Sequence, residues 1–208
     1  MTTKQKQKSD ETRKNIVEAS EKLFASKGYD TVTMREIAKE AGCSHTTIYI
    51  YFKDKEALLT QLSMPPLQAL LLTFEAFLSQ ELPADDKLKA ISLAFIEFCL
   101  ANRNMYNLFF AVKSVRVDDE APDMELNQLR NTMFGKLVIA LQNCLQLNAN
   151  DERALMYSRI YFFTLNGIVA TYSDSEESAK ELMNRLTPTF EQSSEVLLAG
   201  FRHQIAIY

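Results

Sequence analysis

Glycine and proline are scarce, five of each in 208 residues, and there is no tryptophan. Hairpin-rich β folds need turn residues every few positions, so this shortage argues against a sandwich or barrel and for long helices. Cysteine is also sparse. Cys43, Cys99 and Cys144 lie far apart with no CxxC pair, which excludes a disulfide framework and is the pattern of a reducing compartment. Both expected buried thiols, Cys99 and Cys144, fall on apolar faces as small hydrophobes. The first ten residues lack the apolar stretch of a signal peptide. The charge-poor stretch 160–173 is too short and too polar to cross a bilayer, so the chain is expected to be cytoplasmic, with no membrane partner. No Gly-rich phosphate loop, nucleophile elbow or HExxH is present, and Cys43-x-His45 has no further ligand nearby for zinc. Nothing calls for an enzyme, a metal or a cofactor.

What is present is a core. The chain is 47% hydrophobic and 24% charged, enough apolar surface to fold and too little charge for disorder. The net charge of −4 is unevenly spread. Residues 1–60 carry eleven Lys/Arg against nine Asp/Glu, and the remainder twelve against eighteen. A slightly basic head on an acidic body suits an anionic partner for the head.

The head reads as three short helices. In 10–27, Ile16, Val17, Leu23 and Phe24 recur at helical spacing, with Asp10 as N-cap and Gly28 beyond the C-terminus. Residues 1–9, with Lys4, Lys6 and Lys8, read as a flexible basic arm. Thr33-x-x-Glu36 is a capping box for a second helix ending near Ala41. Gly42 then supplies a tight turn, and Ser44 caps a third helix running to about Tyr51: the helix-turn-helix layout. Ile48 and Phe52, four apart, anchor that helix, which leaves His45, Thr46, Tyr49 and Ile50 pointing away. Hydroxyl and ring side chains on that side suit a helix in a DNA major groove. Arg35 is placed to reach a phosphate or a guanine edge. Lys53 and Lys55 flank Asp54, the expected cap of a fourth helix, where they would clamp a phosphate.

Residues 12–62 resemble the DNA-binding domain of the TetR family of transcriptional regulators. The resemblance rests on several spaced elements: Phe24 to Tyr29 as FxxxGY, Thr33 to Ala38 as TMREIA, Ala41 to Ser44 as AGCS, and Ile48 to Leu58 as IYIYFKDKEAL. It implies phosphate contacts at Thr33, Tyr49, Tyr51 and Lys55, and contacts to bases or nearby backbone at Arg35, Ser44, His45, Thr46 and Thr47. His45 and Ile50 depart from the family pattern, which favours Lys or Arg at the first position and a polar or basic residue at the second.

The body, 54–208, carries no sharp motif but continues helical, giving an all-α chain: arm 1–9, DNA-binding head 10–53, effector-binding and dimerisation body 54–208. Pro65-Pro66 is expected to kink or break the fourth helix and to serve as a hinge. Asn150-Asp151-Glu152 reads as a cap and acidic first turn for a helix over 152–172, apolar nearly all round between Ile160 and Ala170, and such a helix needs cover on every side. A short helix over 176–185 and a last one opening at Thr187-Pro188 complete the chain. The resemblance implies that the last two long helices form a four-helix homodimer interface. Two heads then sit roughly 34–36 Å apart on a near-palindromic double-stranded operator. It also implies an effector pocket among the Phe- and Met-rich middle helices. The expected lining is Phe74, Phe95, Phe98, Cys99, Met105, Phe109, Met133, Leu137, Phe163 and Asn166, with Glu97, Asn102 and Tyr106 as further polar candidates and an apolar or aromatic effector. The function implied is a one-component regulator, a repressor released by its effector. The competing readings are an adaptor built on the same fold and a helical ligand carrier without gene control.

Overall fold

The computed structural model describes residues 3–116, 122–148 and 150–207; the acidic run Asp118 to Glu120, which reads as a loop in the sequence, lies outside them. Helix α1 (Thr3–Lys27) starts seven residues earlier than its sequence pattern requires. Asp10 is therefore inside the helix and not its cap, and 3–9 are helical turns, not an arm. Gly28, with φ +81°, ends α1 by donating its N–H to the Phe24 carbonyl at 2.9 Å.

Helix α2 (Met34–Glu40) is held at its start by the expected box. Glu36 N–H donates to Thr33 Oγ1 at 3.3 Å, and Thr33 N–H donates to Glu36 Oε2 at 2.9 Å. Its end is a Schellman motif. Gly42 N–H donates to the Lys39 carbonyl at 3.2 Å and Cys43 N–H to the Ala38 carbonyl at 2.9 Å, with Gly42 at φ +68°. That closure turns the chain directly into α3 (His45–Tyr51).

Helix α4 (Lys55–Leu78) opens on Asp54, whose carboxylate accepts the Ala57 N–H at 2.8 Å. The break expected at Pro65-Pro66 does not occur; both prolines lie inside one helix. Each interior proline costs about 3 kcal/mol. Leu58 and Leu59 before the pair, and Leu67, Leu70 and Phe74 after it, are all buried, at about 1.5–3 kcal/mol each. Burial outweighs the lost donors. By length and composition α4 alone among the described residues could cross a membrane, yet these residues pack it onto α5 (Ala84–Ala101) and α7 (Glu125–Leu145).

Helix α6 (Arg103–Phe110) is short and touches α1, α4 and α5. Helix α8 (Glu152–Thr171) begins within the expected segment 150–152, and Asp151 is its cap, the carboxylate accepting the Arg153 N–H at 2.9 Å. The two helices expected after it are one, α9 (Ala179–Ile207), running through Pro188. Its start is a capping box that sequence inspection passed over: Glu181 N–H donates to Ser178 Oγ at 3.2 Å and Ser178 N–H to Glu181 Oε2 at 2.8 Å. Leu182 and Leu186 before Pro188, and Phe190 after it, keep one buried face.

A buried hydroxyl chain ties the body together. The Tyr161 hydroxyl on α8 lies 2.9 Å from Ser92 Oγ on α5 and 2.7 Å from Ser194 Oγ on α9. The described residues are helices and connections without strands. Cys99 and Cys144 are buried in the core, with their thiols pushed up by burial, Cys144 to about 12.

Candidate nucleic-acid interface and apolar cavity

Helix α3 is fixed by its two ends and one side. Ser44 Oγ accepts the Thr47 N–H at 3.0 Å and lies 2.7 Å from Thr47 Oγ1. Ile48 is fully buried and Phe52 nearly so, with the Arg13 guanidinium 5.3 Å above the Phe52 ring. The opposite side therefore faces outward: His45, Thr46, Tyr49 and Ile50 are exposed. His45 and Tyr49 meet edge to face with ring centroids 5.2 Å apart, which orients the phenol. Arg35 on α2 is exposed as well.

The other expected contact residues divide. Thr33 and Ser44 are exposed, but their hydroxyls serve as helix caps. Thr47 and Tyr51 are half-buried, and Tyr51 packs against the core. Lys55 is a correction. Its ammonium donates to the carbonyls of Tyr29 at 2.6 Å and Val32 at 2.8 Å, and sits 4.4 Å above the Tyr29 ring. This lysine clips the α1–α2 connection to the start of α4 and does not project outward as the expected phosphate clamp. Lys53 beside it is exposed.

In the body, a cavity of about 260 Å³ lies between α4, α5, α6, α7 and α8. Five of the ten expected residues line it: Phe74, Phe95, Met133, Leu137 and Asn166. The other five do not. Cys99, Met105 and Phe109 are buried in the core away from it, Phe98 packs on Phe109 and Phe110, and Phe163 is 67% exposed on the far side of α8. The neighbours Phe110 and Phe162 line the cavity instead. Of the further polar candidates only Tyr106 does. Glu97 is exposed, and Asn102 donates to the Phe98 carbonyl at 2.8 Å.

The polar edge of the cavity is small. Tyr106 OH donates to Asn166 Oδ1 at 2.7 Å, and Asn166 Nδ2 donates to the Phe162 carbonyl at 2.9 Å. Burial pushes the Tyr106 phenol up to about 12, so it is a neutral donor. Arg130, 94% buried, was missed. It donates to the carbonyls of Leu108 (3.0 Å), Phe109 (2.7 Å) and Val112 (3.1 Å) and to Asn127 Oδ1 (2.8 Å), closing the C-terminus of α6. Burial pulls its guanidinium down to about 10, so it remains charged at neutral pH. The signal was in the sequence: Arg130 falls on the stripe Leu126, Met133, Leu137 of α7, where a charge is out of place unless it has partners.

A seven-residue helix presented outward after a Schellman turn, on an all-α body enclosing an apolar cavity, defines a helix-turn-helix protein with a separate helical body. Residues 16–62 match the family model described as "Bacterial regulatory proteins, tetR family". The same head is similar to the HTH-type transcriptional regulator AcrR of Shigella flexneri, 39% identical over 62 residues (30% of this chain, 29% of that protein). It is also similar to the uncharacterized HTH-type transcriptional regulator YuxN of Bacillus subtilis, 53% identical over 49 residues (24% of this chain, 17% of that protein). The matches thus span under a third of these relatives' length. The whole chain has the fold of the fatty acid degradation regulator FadR of Bacillus halodurans (TM-score 0.65, 20% identity, 92% of this chain and 96% of that one). It has equally the fold of the ketosteroid transcriptional regulator KstR2 of Mycobacterium tuberculosis (TM-score 0.66, 17% identity, 90% and 93%). The head of the chain, residues 16–62, is thus that of the bacterial regulatory proteins of the TetR family, and the body shares their fold.

Proposed function

We propose that this protein is a one-component transcriptional regulator, a repressor that binds a near-palindromic operator as a homodimer and leaves it when a small apolar molecule enters the cavity. The observation that carries the reading is the outward side of α3, where His45, Thr46, Tyr49 and Ile50 are presented while Ile48 and Phe52 hold the helix from behind. Arg35 and Lys53 flank that side as exposed cations for backbone contacts.

Dimerisation is supported by uncovered apolar surface on the last two helices. Met156, Ile160 and Phe163 form one exposed stripe of α8, and Val196, Gly200 and Ile207 one of α9. A two-fold contact through these stripes covers both. The cavity supports an effector with a large apolar part and one polar group near Tyr106 and Asn166. The fold is shared with a fatty acid degradation regulator and a ketosteroid transcriptional regulator, and an effector with the apolar character of a fatty acid or a ketosteroid suits this lining. Coupling is built into α6. It contributes Tyr106 and Phe110 to the cavity and packs on α1 and α4 of the head side, so a ligand favouring one α6 position biases the spacing of the two heads.

The test is selection of bound duplexes from a random pool by the purified protein, with and without apolar metabolite extracts. The expected result is an enriched near-palindrome with half-sites one helical turn apart, released by a fraction of the extract. Equal, feeble affinity for every oligonucleotide at ordinary salt would overturn the reading.

A further inference from the structure

Helix α3 spells His-Thr-Thr-Ile-Tyr-Ile-Tyr, and it contains no Arg, Lys, Asn, Gln, Asp or Glu. Those absences matter for base recognition. Guanine is read by the fork of Arg or by Lys, adenine by the paired groups of Asn or Gln, and cytosine by a carboxylate. None of these is available from this helix. Thymine carries the one major-groove mark that an apolar side chain reads, its C5 methyl.

Ile50 is the side chain placed to read it. It is 79% exposed, the most exposed large apolar residue among those described, and it stands in the last turn of a helix whose other isoleucine, Ile48, is fully buried. Thr46, one turn earlier on the same outward side, adds a second methyl. The Tyr49 ring beside them is held edge to face by His45. An isolated exposed isoleucine on a body helix would need no explanation. Here the whole outward side of the groove-facing helix pairs methyl groups with hydroxyls and rings.

We propose that Ile50 is a specificity-determining residue that docks on the C5 methyl of a thymine in each half-site, so that the bases facing α3 are chosen by methyl contact and not by paired hydrogen bonds. The inference rests on the DNA-binding reading and adds the base class to it. Any guanine in the half-site falls to Arg35 of α2 or to His45.

The full-length protein first selects duplexes from a random pool. Each thymine of the enriched half-site is then replaced, one at a time, by deoxyuridine, which keeps base pairing and removes only the methyl. Binding of the wild type and of Ile50→Ala is measured on every duplex. At one symmetry-related position, uracil is expected to weaken the wild type about fourfold per half-site, and about fifteenfold when both half-sites carry it. Ile50→Ala is expected to bind thymine and uracil there equally. Because Ile50 packs on little, the variant should unfold at the wild-type urea concentration, which separates lost reading from lost folding. An enriched sequence in which no thymine distinguishes wild type from Ile50→Ala overturns the assignment while leaving DNA binding intact. Failure to enrich any sequence overturns the DNA-binding reading, and this inference with it.

Discussion

Two lysines two residues apart have opposite fates. Lys53 is exposed, whereas Lys55 turns back onto the Tyr29 and Val32 carbonyls and the Tyr29 ring. Charge-assisted hydrogen bonds contribute about 1.5–3 kcal/mol when buried; with Lys55 only half-buried, Lys55→Ala is expected to lower stability by about 1.5–3 kcal/mol for both bonds together in urea unfolding. Lys53→Ala should leave stability within about 0.5 kcal/mol and reduce the salt dependence of DNA binding by about one ion per subunit. The reverse pattern in the two unfolding curves would restore Lys55 as a phosphate contact. Sequence spacing sees both lysines at the start of α4 and assigns them one role. It cannot see that the α1–α2 connection passes within reach of only one.

Among the elements, the short helix α6 is tied to its neighbours by side-chain hydrogen bonds. Arg130 closes its C-terminus, and the Tyr106–Asn166 bond joins it to α8. The burial of the Tyr106 phenol makes a pH prediction with a definite sign. The unfolded chain loses the tyrosine proton near 10, while the folded chain holds it to about 12. Between those values the unfolded state binds fewer protons, so the stabilisation is whole below pH 10 and is lost as pH rises towards 12. Urea unfolding of the wild type should show this alkaline loss, with Tyr29, also raised to about 12, adding to it. Tyr106→Phe should make the loss shallower; an unchanged slope would mean that the phenol is not held neutral by burial. Local chemistry made several elements legible. The Thr33–Glu36 box, the Gly42 turn, the Ser44 cap and the Asp151 cap each depend on residues within five positions of one another. Pro65-Pro66 and Pro188 were misread for the complementary reason. The local rule is a cost of a few kcal/mol, and what opposes it is burial against helices distant in sequence.

For the whole molecule, the exposed stripes of α8 and α9 set the decisive expectation. Phe163→Glu places a charge in the proposed contact without touching the monomer's core, since Phe163 is 67% exposed. Sedimentation at micromolar concentration is expected to fall from dimer to monomer mass, with the helical content unchanged. A wild type that sediments as a monomer would remove the two-fold arrangement from the account.

The chain itself determined its class: helix-forming composition, periodicity and short-range caps are local, and they specify an all-α protein with a helix-turn-helix head whose outward residues can be named. Which residues meet in the body was decided only by tertiary structure. Phe109 and Phe163 sit one step from Phe110 and Phe162, yet the first pair lies away from the cavity and the second lines it. One residue along a helix is a rotation of about 100°. A helix as apolar as α8 has no polar side to orient it, so its rotation, and with it the inward or outward sense of each phenylalanine, waits on packing with α5, α7 and α9.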